Sequence, residues 1–299
     1  MRVSDFLELL LLAAVWGASF IFMRVAAPEF GPVPLIGIRV GLAALVLLPV
    51  FVMRKPLHLL WQNKRHILFI GVFNSALPFS LFAYATLHLS AGFTAVINAT
   101  VSILGAIIAY VWLKESLSVA RVAGLFVGFS GVVALVVSAG TFDQQSTQLA
   151  LAAGLGASFS YGVSASYTKL HMTGVDSLTL SLGSLIAASI VLFPFVIYLW
   201  PQQPPSLLSW GNALILASIC TGAAYIMYFR LIANVGTSKA ISVTLLIPLF
   251  GMFWGVVLLN EVVTLNMVLA AITIILGTSL ASGVLRPKAI LTAFRANKL

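Results

Sequence analysis

The sequence has little charge and very few acidic side chains. Only 8% of its 299 residues are charged and Asp and Glu together number 7, whereas 61% of the residues are hydrophobic. A water-soluble protein of this size needs far more charged residues to cover its surface. The composition therefore excludes a soluble globular domain and predicts an integral membrane protein.

The sequence has only one cysteine, and the common catalytic motifs are absent. The single cysteine, Cys220, excludes an intrachain disulfide and a cysteine-rich metal site. There is no Gly-x-x-x-x-Gly-Lys-Ser/Thr phosphate loop, no His-Glu-x-x-His zinc motif and no Gly-x-Ser-x-Gly nucleophile elbow. We therefore expect no metal, no cofactor and no catalytic residues. An intramembrane enzyme built on Ser19 is the alternative, but the nearest histidines are predicted at the cytoplasmic ends of spans, far from it in depth.

Apolar stretches separated by polar residues, proline or glycine predict ten membrane-spanning helices of about 20 residues each. The first stretch is followed by further spans, so we expect a retained helix and not a cleaved signal peptide. The predicted fold class is an all-α membrane protein. The predicted spans are residues 5–25, 33–53, 66–86, 92–113, 119–138, 148–168, 177–199, 209–232, 238–259 and 264–284.

The positions of the basic residues predict the orientation in the membrane. Ten spans put both termini on one side, where 14 of the 16 Lys and Arg residues then lie; Arg24 lies on the other side and Arg39 within a span. Lys and Arg concentrate in cytoplasmic loops, so both termini are predicted to be cytoplasmic. The basic tail, residues 286–299, is expected to contact membrane lipids. No amphipathic basic face carries interleaved aromatics, so no nucleic-acid partner is expected.

The two halves of the sequence resemble each other at a spacing of about 145 residues. Each unit holds five predicted spans, an odd number, so the second unit must enter the membrane from the opposite side. This predicts two inverted repeats, residues 1–140 and 146–285, an arrangement typical of secondary transporters whose substrate site lies between the repeats. Duplication with a purely structural outcome is the alternative. The matched positions include Trp16-Gly17-Ala18-Ser19 with Tyr161-Gly162-Val163-Ser164, Pro49 with Pro194, Gly105 with Gly251, and Leu113-Lys114-Glu115 with Leu259-Asn260-Glu261.

Several short motifs together suggest a known family. They are Trp16-Gly17-Ala18-Ser19-Phe20, Arg39, Ser90-Ala91-Gly92, Lys114-Glu115-Ser116-Leu117, Gly124 through Gly131, Pro248 and Leu259-Asn260-Glu261. Over nearly its whole length the chain resembles the drug/metabolite transporter superfamily, specifically its EamA-type ten-helix exporters, although Asn260 stands where that family usually has glycine. The resemblance implies export or exchange of a small organic solute without ATP, and it is strongest to bacterial exporters of aromatic or neutral amino acids. Related branches carry other metabolites or cationic drugs, and these stay open.

Polar and aromatic side chains inside the predicted spans are candidate substrate contacts, because an unpaired polar group in lipid is costly. A carboxamide has four bonding positions that helix packing rarely satisfies, and aromatic rings suit an apolar side chain or an ammonium group. Two prolines, Pro78 and Pro248, interrupt backbone hydrogen bonding and are expected hinges. Ordinary helix packing is the alternative for these residues. The expected substrate contacts are Trp16, Asn74, Phe79, Asn98, Ser102, Tyr225, Tyr228 and Ser242.

Charged residues give few further clues to the mechanism. Arg39 is predicted about 10 Å below the outer surface and is expected to reach the outer headgroups or Glu29; binding of a substrate carboxylate is the alternative. No acidic residue lies in the middle of a predicted span, so no titrating carboxylate indicates proton coupling. We therefore favour facilitated diffusion or exchange by rocking of the two halves. A channel or a structural subunit is the remaining alternative, and both a monomer and a homodimer stay open.

The predicted orientation can be tested by chemical labelling. Asp143→Cys and Gln202→Cys, each combined with Cys220→Ala, should react with a membrane-impermeant thiol reagent added to intact cells, because both positions lie in predicted outer loops. Labelling that occurs only after the membrane is opened would reverse the orientation.

Overall fold

The computed structural model describes residues 2–115, 118–138 and 145–281, and within these ranges it contains helices and no β-strand. The long helical segments coincide with the predicted spans, and a short helix, His58–Gln62, lies between the second and the third. The end of the tenth predicted span and the predicted tail, residues 286–299, lie outside the described residues. The segments are α1 (Val3–Phe30), α2 (Pro32–Arg54), α3 (Lys64–His88), α4 (Ala91–Leu113), α5 (Val119–Ser138), α6 (Gln145–His171), α7 (Ser177–Tyr198), α8 (Leu207–Val235), α9 (237–259) and α10 (Leu265–Ala281).

The outer surface of the helices is suited to lipid. Seven helices, α1 to α4 and α6 to α8, are long and apolar enough to cross a membrane, whereas the apolar segments Val119–Leu135, Ile247–Leu259 and Leu265–Ala281 are shorter. Many large apolar side chains are exposed, for example Phe126 and Phe193. An apolar surface of this extent would drive aggregation in water. The structure is therefore an all-α membrane protein that crosses the bilayer several times.

Short polar residues begin several helices, as their capping chemistry requires. The side chains of Ser90, Asp176 and Ser206 each accept a hydrogen bond from the backbone N–H three residues later, at 3.1–3.2 Å. At the C-terminal ends of α4 and α9, the residues that follow the helix, Lys114 and Asn260, adopt the left-handed conformation, with φ of 53° and 52°. Glycine is the commonest residue in this position and asparagine also tolerates it. This geometry explains how Asn260 can stand where glycine is expected.

Helices from the two halves of the chain pack against each other. Helix α1 contacts α8 and α9, and α6 makes the corresponding contacts with α3 and α4; α2 also packs on α7, α4 on α9, and α5 on α10. The repeat pairs each helix of the first half with the helix five positions later, so that α1 corresponds to α6 and α5 to α10. If every helix is replaced by its repeat partner, the same set of helix–helix contacts is obtained. The core is thus built by pairing the halves, and neither half forms it alone.

Glycine permits the closest of these contacts, and it does so at matched positions. A Cβ at Gly17 of α1 would lie 2.7 Å from the Cβ of Phe250 and 2.9 Å from the backbone nitrogen of Gly251 in α9. A Cβ at Gly162 of α6 would likewise lie 3.0 Å from the Cα of Gly105 in α4. Small residues allow helices in membranes to approach this closely. The alignment of Gly17 with Gly162 and of Gly251 with Gly105 is therefore reflected in the packing.

The contact between α5 and α10 gives a test of this packing. A Cβ at Gly277 would collide with backbone atoms of Gly128 and lie 2.7 Å from the carbonyl oxygen of Gly124. Backbone cannot move aside without separating the helices, so Gly277→Ala should destabilise the protein by about 1–3 kcal/mol. The thermal unfolding temperature of the detergent-solubilised protein should fall.

Gly211→Ala is the matched control for this experiment. It lies within α8, and a Cβ there meets no atom within 4 Å. This variant should keep or raise the unfolding temperature, since alanine favours a helix by about 0.5–1 kcal/mol over glycine. Equal temperatures for the Gly277→Ala variant and the unchanged protein would contradict the role of this contact.

Candidate functional site

A cavity of about 420 Å³ lies between the two halves. Its walls come from α1, α2, α3 and α4 of the first half and from α6, α7, α8, α9 and α10 of the second. Small-molecule sites commonly have volumes of about 300–1,000 Å³ and combine apolar walls with a few polar groups. The cavity is therefore large enough for one small organic molecule.

Four of the helices that line the cavity are irregular next to it. Helix α3 contains the π-helical segment Val72–Ala76, and its repeat partner α8 contains the π-helical segment Ser218–Ala223. Helix α4 is interrupted by a turn at residues 99–100, and its partner α9 contains the 3₁₀ segment Ile241–Leu245. In transporters, interrupted helices typically form the substrate site near the middle of the membrane. The irregular segments occupy matching places in the two halves.

Hydroxyl groups of neighbouring helices donate hydrogen bonds to backbone carbonyls at these irregular segments. Ser160 of α6 donates to the carbonyl of Phe73 at 2.8 Å, and Thr278 of α10 donates to the carbonyl of Ala99 at 3.4 Å. Backbone that departs from a helix within a membrane needs such partners or a water-filled cavity. Neither Ser160 nor Thr278 was predicted in this role, because the presence of a serine or threonine within a span does not show which carbonyl it will contact.

The structure brings seven of the eight predicted substrate contacts to this one cavity. Ser242 is the exception: its hydroxyl donates to the backbone carbonyl of Lys239 at 2.6 Å, and Ser242 is absent from the cavity wall. The substrate role of the other residues stays a prediction. The seven lining residues are Trp16, Asn74, Phe79, Asn98, Ser102, Tyr225 and Tyr228.

The two predicted hinges begin the regular helix that follows an irregular segment. Pro78 is near the start of the segment Leu77–His88, directly after the π-helical part of α3, and Pro248 is near the start of Ile247–Leu259. Proline is favoured in the first turn of a helix because its missing N–H would have no helical partner there. Their local role is thus to restart the helix, and movement about them stays a prediction.

Arg39 lines the cavity and does not reach Glu29. Its side chain is buried, with the residue only 6% exposed, and its Nε donates to the Oγ1 of Thr221 at 2.9 Å. Its guanidinium carbon lies 3.8 Å from the centre of the Phe79 ring, a cation–π contact. Glu29 instead accepts hydrogen bonds from the backbone and side chain of Ser206, at 2.6 and 2.9 Å. The expected contact of Arg39 with Glu29 or the headgroups is therefore wrong.

Two groups of aromatic rings line the cavity. The ring of Trp16 lies 5.2 Å from that of Tyr228 and 6.5 Å from that of Tyr225, centre to centre. Phe79 and Phe82 each lie 6.3 Å from Tyr161, the repeat partner of Trp16. The faces of such rings can contact apolar groups and ammonium groups. Phe82 and Tyr161 are not among the eight predicted substrate contacts, since an aromatic residue in a span often only fills core space.

One ion pair joins α1 to the residues just after α9, and a matching pair joins α6 to the residues just after α4. Arg24 lies 3.7 Å from Glu261, which also accepts hydrogen bonds from the backbone N–H groups of Ala91 and Gly92 at 2.7 and 3.1 Å. The repeat partners Lys169 and Glu115 form the second pair. The Glu261 side chain is 11% exposed, whereas that of Glu115 is 31% exposed. The first pair is therefore the more deeply embedded.

The described residues contain no group of three or more His, Cys, Asp or Glu side chains that could hold a metal ion. We accordingly assign no metal ligand. The cavity walls supply amides, hydroxyls, one guanidinium and aromatic rings. Groups of these kinds can bind a small solute by hydrogen bonds, charge and ring contacts.

Comparison with known proteins agrees with this architecture. Residues 6–137 and residues 148–283 each match the sequence model of the EamA-like transporter family. The chain belongs to this family. The match occurs once in each half, and it confirms the family that the short motifs had suggested.

Proteins similar to this chain over most of its length include two from Bacillus subtilis, strain 168. The uncharacterized transporter YoaV is 22% identical over 92% of this chain and 95% of its own length, and the uncharacterized transporter YvbV is 26% identical over 90% and 88%. Protein PagO of Salmonella typhimurium is 22% identical over 92% of each chain. A solved crystal structure superposes with a TM-score of 0.66 at 17% identity, covering 96% of this chain and 100% of that one. That likeness shows a shared fold.

The embedded ion pair makes a stability prediction for this member of the family. Glu261→Ala removes the partner of Arg24 and the acceptor for two backbone N–H groups, which should cost about 1.5–3 kcal/mol. Glu115→Ala is the matched control, and loss of that more exposed pair should cost less than about 1 kcal/mol. Thermal unfolding in detergent measures both, and a larger loss for Glu115→Ala would contradict the assignment.

Proposed function

We propose that this chain is a secondary transporter of small organic solutes, with amino acids as the substrate class. In this proposal all ten helical segments cross a bacterial inner membrane as two inverted repeats, residues 1–140 and 146–285, with both termini cytoplasmic. The solute reaches the cavity alternately from either side as the two halves rock against each other. The observation that carries the proposal is the cavity itself, because residues of both repeats surround it.

Contacts between helix ends support the inverted orientation. Lys55, after α2, lies 3.5 Å from Asp176, before α7, so the end of α2 and the start of α7 lie on the same side. Helix α6 ends just before α7, and α1 is joined to α2 only by Gly31. Since α1 must begin on the side where α2 ends, the matched helices α1 and α6 run in opposite directions. This is the relation that two inverted repeats require.

The length of the interrupted helices supports ten crossings. Helix α4 has 23 residues and is long enough to cross a membrane, although a turn at residues 99–100 interrupts it next to the cavity. Helix α9, residues 237–259, comprises Thr237–Ala240, the 3₁₀ segment Ile241–Leu245 and the longer Ile247–Leu259. It therefore covers the same number of residues as its repeat partner. An interrupted helix is stable at membrane depth where it lines a cavity.

The contents of the cavity wall support amino acids as the substrate class. Two carboxamides, Asn74 and Asn98, face the same space as the hydroxyl of Ser102 and the rings of Trp16 and Tyr228. The amides offer both donors and acceptors, and the rings suit an apolar side chain. A volume of about 420 Å³ holds one such molecule with little room for more.

The proposal is tested by a counterflow screen in proteoliposomes across amino acids, nucleosides and cationic drugs. A carrier of amino acids should show saturable uptake that is stimulated by the same amino acid inside the vesicle. Linear, gradient-driven flux without this stimulation would indicate a channel. Absence of flux for every solute class would refute transport.

Asn98→Ala tests the site within the same screen. Loss of the carboxamide removes about one to two hydrogen bonds to the solute and should weaken its apparent affinity by about three- to tenfold. Asn212→Ala is the matched control, because the Asn212 side chain lies outside the cavity and donates to the backbone carbonyl of Leu208 at 2.7 Å. Equal affinity for the two variants would place the solute elsewhere.

A further inference from the structure

We propose that Arg39 binds an anionic group of the transported solute, so that the cavity selects small molecules that carry a carboxylate. This inference rests on the transport function proposed above and specifies its substrate class. It would separate carboxylates, including amino acids, from solutes whose only charge is positive.

The first observation is that none of the described acidic side chains pairs with Arg39. The sequence contains 7 acidic residues, of which Asp143 lies outside the described residues. Each of the other six contacts a partner elsewhere. The pairs are Asp5 with Arg2, Glu8 with Arg230, Glu29 with Ser206, Glu115 with Lys169, Asp176 with Lys55 and Glu261 with Arg24.

The second observation is that the cation is deeply buried. Arg39 is only 6% exposed, and it sits in α2, a helix apolar enough to cross a membrane. An uncompensated charge at such depth is costly, and arginines within membrane helices normally face a partner or a wet cavity. Because Arg39 lines the cavity, an anion bound there would provide the missing opposite charge.

The third observation is that contacts hold the guanidinium but leave donors available. Its Nε donates to Thr221 at 2.9 Å, its Nη1 donates to the sulfur of Met23 at 3.6 Å, and its Cζ lies over the Phe79 ring. Thr221 is itself fixed, since its hydroxyl donates to the carbonyl of Leu216 at 2.9 Å. A guanidinium has five N–H donors arranged to hold a carboxylate in a bidentate manner. Within the described residues, the Nη2 group has no hydrogen-bond partner.

The remaining wall explains why a solute that is only cationic would bind poorly. No Asp or Glu side chain is among the described residues that line the cavity. A lone ammonium group would therefore meet the positive charge of Arg39 without a negative charge to offset it. In an amino acid, by contrast, the carboxylate neutralises Arg39, and the ammonium group can face the rings of Trp16 and Tyr228.

A series of related ligands tests the proposal on the unchanged protein. Phenylalanine, 3-phenylpropanoate, phenylalaninamide and phenethylamine share one ring and differ in whether they carry a carboxylate or an ammonium group; leucine and its three analogues form a second set. We expect the two carboxylates of each set to compete in counterflow and to raise the unfolding temperature of the solubilised protein. The amide and the amine should bind more weakly, by about tenfold or more.

Variants of Arg39 identify the group responsible. Arg39→Gln should abolish the preference for the carboxylate over the amide, and Thr221→Val should reduce it, because Arg39 then loses the acceptor that orients it. Arg54→Gln is the matched control: this arginine ends the same helix, is exposed, and lies outside the cavity wall. It should keep the full preference.

The possible results separate this inference from the proposed function. If the amine and the amide bind as well as the acids, or if Arg39→Gln retains the preference, the role of Arg39 is refuted although transport stands. If Arg39→Gln fails to fold, the ligand series on the unchanged protein and the Thr221→Val variant still test whether Arg39 binds the carboxylate. Lack of saturable flux for every solute would refute the transport function and this inference with it.

Discussion

The structure depends on the need to satisfy backbone hydrogen bonds where no bulk water is available. Within a bilayer a regular helix meets this need alone, and any departure from it requires other partners. Helices α3, α4, α8 and α9 all depart from regular geometry, and they do so around one cavity. Hydroxyl groups on neighbouring helices donate hydrogen bonds to backbone carbonyls there, as Ser160 does to that of Phe73. The cavity and the irregular helices are therefore two aspects of the same arrangement.

Both halves of the chain contribute irregular helices to the cavity, at matching positions. Close glycine contacts, π-helical segments and ion pairs recur at matched positions in a chain whose halves each match the EamA-like transporter family. The matched elements differ in their chemistry: Arg24 pairs with the embedded Glu261, whereas Lys169 pairs with the more exposed Glu115. The backbone contacts of the two halves are therefore alike, whereas their ion pairs differ in burial. Under the proposed mechanism, this difference distinguishes the two ends of the carrier.

Arg39 connects the electrostatics of the cavity with its proposed selectivity. The helices bury a cation beside Thr221 and Phe79 and direct each described acidic side chain to another partner. A charge in this position makes the occupancy of the cavity depend on the charge of the solute. Under the proposed function, the aromatic rings that line the cavity then distinguish among solutes that carry the same anionic group by the shape of their apolar part.

The sequence by itself determined the membrane class, the helical segments and the family, because apolar runs of sufficient length and recurring motifs are local properties. It also selected seven residues that share one cavity, since polar groups within spans are few and must face the protein interior. Only the tertiary structure showed that Ser242 lies outside the cavity wall, that Glu29 binds Ser206, and that Arg39 faces the cavity beside Thr221. Those outcomes depend on contacts between residues as far apart as 182 positions in the chain. The periodicity of a single helix carries no information about such partners, whereas the packing of the two halves fixes them.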